Sequence, residues 1–193
     1  MSRRIGLFGG TFNPVHIGHL VVAQDILNKL KLEKMYFIPC GTPPHKVGSD
    51  MLEAKHRQAM VQLAIRDNPG FILSDVELKR KGKSYSIDTV RYFKGKYPDA
   101  RIFFVIGADI LPALHTWKDI NILINECEFV VMTRPEHDTI EKKVRNVGHF
   151  LNVRDIEVSS TEIRNLIRAG KSIHYMVPRI VEKYIAEKKI YKY

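Results

Sequence analysis

Two rhythms of hydrophobic residues alternate along the chain. Short, unbroken apolar runs stand at Ile5–Phe8, Met35–Ile38, Phe71–Leu73, Arg101–Ile106 and Phe129–Met132. Such runs predict strands buried on both faces, because a strand with one wet face would alternate apolar and polar residues. Between them, apolar positions follow helical spacing. Leu20, Val21, Ala23, Ile26, Leu27 and Leu30 mark a helix within Ile17–Leu30, and Ala59, Met60, Leu63 and Ala64 lie on one side of a helix over Lys55–Arg66. Further helices are expected over Ser86–Phe93, Ile120–Ile124, Ile140–Val147, Thr161–Arg168 and Arg179–Lys188, and weaker strands at Phe150–Val153 and Ile156–Val158. Prolines and glycines make Pro39–Ser49 a long loop. Repeated strand–helix units imply an α/β fold, a doubly wound parallel sheet with helices on both faces. No repeat or linker interrupts the pattern, so residues 1–193 are expected to form a single domain. In such folds ligands sit at the carboxyl ends of the strands, so the loops after strands are where chemistry belongs.

Charge narrows the choice of partners. The chain of 193 residues carries 31 Lys+Arg against 21 Asp+Glu, a formal net charge of +10, while 45% hydrophobic and 27% charged residues exclude wholesale disorder. The excess of base predicts an anionic partner: nucleic acid, an anionic membrane surface or a small phosphorylated ligand. Cys40 and Cys127 form neither a metal spacing nor a disulfide framework, which favours a reducing cytoplasm. No apolar run approaches the ~20 residues that span a bilayer. Arg3-Arg4 is followed only by Ile5–Phe8 before Gly9-Gly10, which is the pattern of a buried strand and not of an export signal.

The densest candidate chemistry follows the first strand, in Gly9-Gly10-Thr11-Phe12-Asn13-Pro14-Val15-His16-Ile17-Gly18-His19. The glycine pair lets a phosphate approach the backbone, and the turn opens onto a helix N-terminus whose free N–H groups and dipole favour anions. His16 and His19, three apart, share a helical face, and Gly18 removes a side chain where something passes close. Surface or capping histidines and a zinc pair are the alternatives, although no carboxylate or thiolate follows at ligand spacing. The dinucleotide fingerprint is absent, and Gly82-Lys83-Ser84 and Gly170-Lys171-Ser172 lack the earlier glycine of a P-loop. A second cluster is Val158-Ser159-Ser160-Thr161-Glu162-Ile163-Arg164. Ser159 with Glu162 satisfies the capping-box spacing, and the same hydroxyls and N–H groups, with Arg164, suit phosphate.

The first loop resembles the Gly-x-Phe-x-Pro-x-His-x-Gly-His signature of the nucleotidyltransferase superfamily, which includes adenylyl- and cytidylyltransferases. It is closer still to the Gly-Gly-Thr-Phe-Asn-Pro-x-His-x-Gly-His loop of the bacterial nicotinate-nucleotide adenylyltransferases. The second cluster resembles the superfamily's Ile-Ser-Ser-Thr-x-Ile-Arg, with Val158 in place of Ile. Three further stretches are similar to the nicotinate-nucleotide branch: Pro43-Pro44-His45-Lys46, Ser84-Tyr85-Ser86-Ile87-Asp88-Thr89, and Gly107-Ala108-Asp109 with Trp117 downstream. Arg134-Pro135 matches a family Arg-Pro, but Glu136 stands where the family has Gly, and the second tryptophan common in the family is missing near His115-Thr116. The likeness runs the length of the chain, down to Val177-Pro178, Val181 and Tyr184-Ile185.

The resemblance implies a Rossmann-like nucleotidyltransferase domain that moves AMP from ATP to nicotinate mononucleotide, releasing nicotinate adenine dinucleotide and pyrophosphate, a step of NAD biosynthesis. It implies that His16, His19 and Arg164 are catalytic. Gly9, Gly10, Thr11, Phe12, Gly107, Asp109, Ser159, Ser160 and Thr161 would join them in binding ATP. Asn13, His45, Lys46, Tyr85, Ser86, Trp117 and Arg134 would meet the mononucleotide. The acceptor phosphate is already ionised near pH 7, so direct in-line attack needs no base and no covalent intermediate. Mg²⁺ would be held mainly by phosphates and water, with no dedicated protein ligands. The implied partners are small molecules, with no nucleic acid and no membrane; a homo-oligomer remains open. Rival readings are another transferase of the superfamily and a nucleic-acid-binding module using Lys79-Arg80-Lys81-Gly82-Lys83.

Overall fold

The computed structural model describes residues 2–43, 51–133, 148–154 and 156–192. Among these residues six strands form one sheet in the order β3-β2-β1-β4-β5-β6, with every neighbouring pair parallel. They are β1 (Arg4–Gly10), β2 (Lys34–Pro39), β3 (Phe71–Leu73), β4 (Arg101–Gly107), β5 (Glu128–Thr133) and β6 (Gly148–Asn152). The helices are α1 (Ile17–Lys29), α2 (Ala54–Ile65), α3 (Val76–Lys79), α4 (Ser86–Lys96), α5 (Ile120–Glu126), α6 (Ser160–Arg168) and α7 (Arg179–Glu187), with a 3-10 helix over Ala108–Thr116.

Successive strand residues point to opposite faces, which builds two cores. On one face Phe8, Phe37, Phe103 and Val105 pack with Ala23 and Ile26 of α1, Met60 and Val61 of α2, Ile163 of α6 and Val181 of α7. On the other, Leu7, Ile38, Phe104 and Ile106 pack with Ile87, Val90 and Phe93 of α4, Leu111 and Leu114 of the 3-10 helix, and Leu123 of α5. Each of these side chains larger than alanine contributes about 1.5–3 kcal/mol relative to remaining exposed. This two-sided burial is why the strand sequences are continuous apolar runs. Helix α1 stops where Lys31 turns left-handed (φ 50°) and the Leu32 N–H reaches back to the Leu27 carbonyl at 2.9 Å.

Several expectations shift. The sequence Ile156–Val158 forms no strand; Val158 donates its N–H to the Ile156 carbonyl instead, a local turn that feeds α6. The buried stripe of α2 is rotated from Ala59 and Leu63 to Arg57, Met60, Val61 and Ile65, so a charged residue occupies a core position. The short helix α3 and the 3-10 helix around Pro112 lack a long apolar period and were not foreseen. The expected helix Ile140–Val147 lies outside the described residues.

The strand order turns in opposite directions from β1, to β2 on one side and to β4 on the other. That is the topological switch point where the ends of neighbouring strands part and a crevice opens. Gly9-Gly10 end β1 and Gly107 ends β4, so the loops singled out in the sequence flank this crevice.

Candidate active site

Two cavities open at the switch point and share Phe8, Gly107 and Met132 as a common wall. The first, about 450 Å³, is lined by His16, Gly18, His19, Asp109 and Arg154. The second, about 310 Å³, is lined by Gly9, Gly10, Thr11, Ser84, Ser86, Trp117, Lys118 and Glu77.

His16 sits at the N-cap of α1 and His19 one turn on, with ring centroids 3.7 Å apart. The His16 backbone N–H donates to His19 Nδ1 at 3.2 Å. That fixes the tautomer: Nδ1 is the acceptor, and the proton of the neutral ring is on Nε2. Edge contacts with Phe12 (5.1 Å) and a tilted contact with Phe8 (6.0 Å) hold the ring in place. Gly18 is explained by His16 itself, since a Cβ there would lie 3.1 Å from His16 Nδ1.

Burial lowers the proton affinity of both rings. His16, only 7% exposed, is pushed down to about 4, and His19 is held well below the ordinary imidazole range by burial and by its neighbour. Both are neutral near pH 7. Between about pH 6.5 and 4 the unfolded chain binds protons at these positions and the folded chain does not, so stability decreases as the pH is lowered through that window. For His16 the loss approaches about 3 kcal/mol at the acid end. Urea unfolding at pH 7 and pH 4.5 is expected to show this decline, and His16→Asn to flatten it; an identical decline in the variant would contradict the burial argument.

The glycines of the first loop divide their tasks. A Cβ on Gly9 would meet nothing within 4 Å, so this backbone is open to the second cavity. A Cβ on Gly10 would lie 2.9 Å from the Phe12 ring, a rigid neighbour. Phe12 (φ 48°) is itself 2% exposed, so its ring belongs to the core and only its backbone can serve a ligand. Asn13 is likewise turned inward: its Oδ1 accepts from the Tyr191 hydroxyl at 2.8 Å and the Leu52 N–H at 3.4 Å.

Helix α6 locks onto this loop. Ser159 caps it, its Oγ accepting the Glu162 N–H at 3.1 Å. Ser160 Oγ donates to the Pro14 carbonyl at 2.8 Å, and Arg164 donates to the Asn13 carbonyl at 2.9 Å and to Thr161 Oγ1 at 3.3 Å. Thus Ser160 and Arg164 are first of all fasteners of the loop, with Arg164 still carrying N–H groups not engaged by these bonds. Ser159 and Thr161 face a shallow groove outside both cavities.

Around the second cavity, Ser86 begins α4 and Tyr85 occupies its N-cap. Lys118 Nζ stands 4.6 Å from the centre of the Tyr85 ring, a cation–π contact at the rim. Trp117 is half-buried, edge-on to Phe104 (6.1 Å) and Phe129 (6.5 Å), and still lines the cavity, so it is at once core and wall. His45, Lys46 and Arg134 lie outside the described residues.

Four residues at or near the cavities had no sequence signal. Glu77 is 8% exposed and accepts from the Thr89 hydroxyl at 2.8 Å; burial pushes its carboxyl upward, against the hydrogen bonds from Thr89 and Ser84. Lys118 and Arg154 are cations at the two cavities, and Arg154 is placed by Asp25 of α1, which accepts its backbone N–H at 3.0 Å and lies 3.4 Å from its Nε. Arg57 lies fully buried beneath the first loop. Only the anomalous charge in an apolar stripe could have flagged it. Among the described residues no group of three or more His, Cys, Asp or Glu side chains could hold a metal, and no helix is long and apolar enough to cross a membrane.

Residues 7–166 match the cytidylyltransferase-like family. A probable nicotinate-nucleotide adenylyltransferase of Symbiobacterium thermophilum is 41% identical, across 97% of this chain and 95% of its own. One of Shouchella clausii is 42% identical, across 98% and 97%. The chain belongs to the nicotinate-nucleotide adenylyltransferase family, within the cytidylyltransferase-like proteins. Among solved structures, the nicotinic acid mononucleotide adenylyltransferase of Plasmodium falciparum complexed with NaAD shares the fold of this family member at a TM-score of 0.81 and 20% identity, across 98% of this chain and 97% of that one.

Proposed function

We propose that this chain transfers AMP from ATP to nicotinate mononucleotide, giving nicotinate adenine dinucleotide and pyrophosphate. The observation that carries this reading is the pair of cavities meeting at the ends of β1 and β4, with the histidine pair beside one and Trp117 beside the other. ATP occupies the first cavity, with Asp109 as acceptor for its ribose hydroxyls. The mononucleotide occupies the second, its pyridine ring against Trp117 and its carboxylate at the N-terminus of α4 near Tyr85 and Ser86. A mononucleotide phosphate oxygen attacks the α-phosphorus; the new O–P bond forms as the bond to the β-phosphate bridging oxygen breaks, and pyrophosphate leaves with the electron pair.

The chain's part is positioning and charge stabilisation. Neutral His19 offers its Nε2–H to a phosphate oxygen, with His16 beside it, and Arg164 and Arg154 add positive charge. Gly9, Gly10 and the Thr11–Phe12 backbone line the path between the two substrates. ATP arrives as its Mg²⁺ complex. One exposed carboxylate, Asp109, and two neutral imidazoles fit a hard cation held mainly by phosphate and water oxygens.

Residues 1–193 would act as one catalytic domain in the cytoplasm, on small molecules and not on nucleic acid. Within the basic cluster, Lys79 is paired with Asp75 at 2.9 Å and Arg80 donates to Thr89 at 3.3 Å, so part of that charge is already engaged by the fold. The test is pyrophosphate release in the presence of ATP and Mg²⁺, with nicotinate and nicotinamide mononucleotides compared. Release is expected only when a pyridine mononucleotide is present. No release with either refutes the assignment.

A further inference from the structure

Arg57 is the largest of the fully buried side chains, at 1% exposure on α2. A guanidinium in that position is costly unless something answers its charge. Among the described residues no carboxylate does so; its partners are two carbonyls, Leu52 at 2.9 Å from Nε and Thr11 at 3.0 Å from a terminal nitrogen. Thr11 lies in the first loop and lines the second cavity. The peptide plane makes C=O and N–H point in opposite directions, so drawing the Thr11 carbonyl into the core turns the Phe12 N–H away from Arg57. Leu52, the other partner, donates its own N–H to Asn13 Oδ1. Arg57 therefore ties the loop at two points.

The same treatment recurs along the loop. The Asn13 carbonyl is taken by Arg164 and the Pro14 carbonyl by Ser160, both from α6. Three carbonyls of one short loop are engaged by donors from two helices. A carbonyl left facing phosphate would repel it, whereas an N–H attracts it. The guanidinium keeps its charge when buried, because arginine does not lose its proton in proteins. That charge lies directly behind the Thr11 carbonyl, close enough to act on the loop and on whatever binds there.

We propose that Arg57 is a positioning residue for anion binding: it pulls the Thr11 carbonyl inward, so that the loop meets phosphate with N–H groups backed by a buried cation. This rests on the reading of the loop as the nucleotide site, but the test separates the two. The full chain, Arg57→Met and Arg57→Lys are compared by calorimetric titration with inorganic tripolyphosphate and ATP, with adenosine as the uncharged control. Arg57→Met is expected to weaken tripolyphosphate and ATP at least about tenfold while adenosine binding stays within about twofold. Arg57→Lys, which keeps the charge but not the two-carbonyl fork, should recover part of the loss.

A folded Arg57→Met that binds tripolyphosphate like the parent overturns the proposal. So does an equal loss for adenosine, an Arg57→Lys no better than Arg57→Met, or a parent that does not bind tripolyphosphate. Should Arg57→Met fail to fold, Arg57→Lys decides: weaker ATP with unchanged adenosine supports the role, and unchanged ATP overturns it. A parent that binds tripolyphosphate yet releases no pyrophosphate refutes the transfer reaction, while the binding series still decides the role of Arg57.

Discussion

Replacing His19 by alanine is expected to lower kcat by at least about 10²-fold, the scale of removing one donor aimed at charge that develops in the transition state. The His16 backbone N–H occupies Nδ1, so His19 has a single donor, Nε2–H, and the contacts with Phe8 and Phe12 prevent the ring from swinging away. A donor felt mainly in the transition state changes kcat more than the KM for ATP. Because burial holds the ring neutral, kcat should also be flat between about pH 6.5 and 8; activity that rose steadily with acidity would show that an imidazolium is required. Steady-state kinetics of His19→Ala with saturating mononucleotide check the first point, and a loss under about threefold would remove His19 from the chemistry.

Arg164→Ala is expected to reduce kcat/KM for ATP by about 10²-fold, with a smaller effect on the mononucleotide. The arginine does two things at once. It fastens the Asn13 carbonyl to α6 and bonds Thr161, and in the proposed reaction its charge would face the departing pyrophosphate. Alanine loses both, and the loop is then free to present that carbonyl to solvent. Lysine restores a charge but not the fork that spans Asn13 and Thr161, so Arg164→Lys should recover only part of the activity. Measuring kcat/KM for each substrate separately discriminates; unchanged ATP kinetics in a folded Arg164→Ala would count against the assignment.

The two loops that carry these predictions were legible in the sequence because their signals are local. Gly9-Gly10, the His16–Gly18–His19 spacing and Ser159 with Glu162 are patterns spanning a few residues, where backbone geometry follows from residue type. Strand identity was legible for a similar reason. A strand buried on both faces has no choice but to be apolar, as β1 and β4 are after their leading arginines. Where the period was weak or the element short, the pattern misled: Ile156–Val158 has the composition of a strand but closes a local turn, and α3 is too short to show a period.

Long-range partners were invisible for the opposite reason. Arg154 answers to Asp25 and Arg164 to Asn13, each more than a hundred residues away, and Arg57 answers to Thr11 across an intervening strand. Nothing local shows which partners these arginines take in a chain with 31 basic residues. The net charge of +10 pointed to an anion but not to a place. The sequence by itself determined the six strands of the sheet and the longer helices, and it marked two loops as candidates for phosphate chemistry, because those follow from residue type and period. Only the tertiary structure decided that the two loops bind each other and that a buried arginine lies beneath them. It also decided that two cavities share a wall at the switch point. Those facts depend on which strand lies beside which, and a one-dimensional pattern does not encode that order.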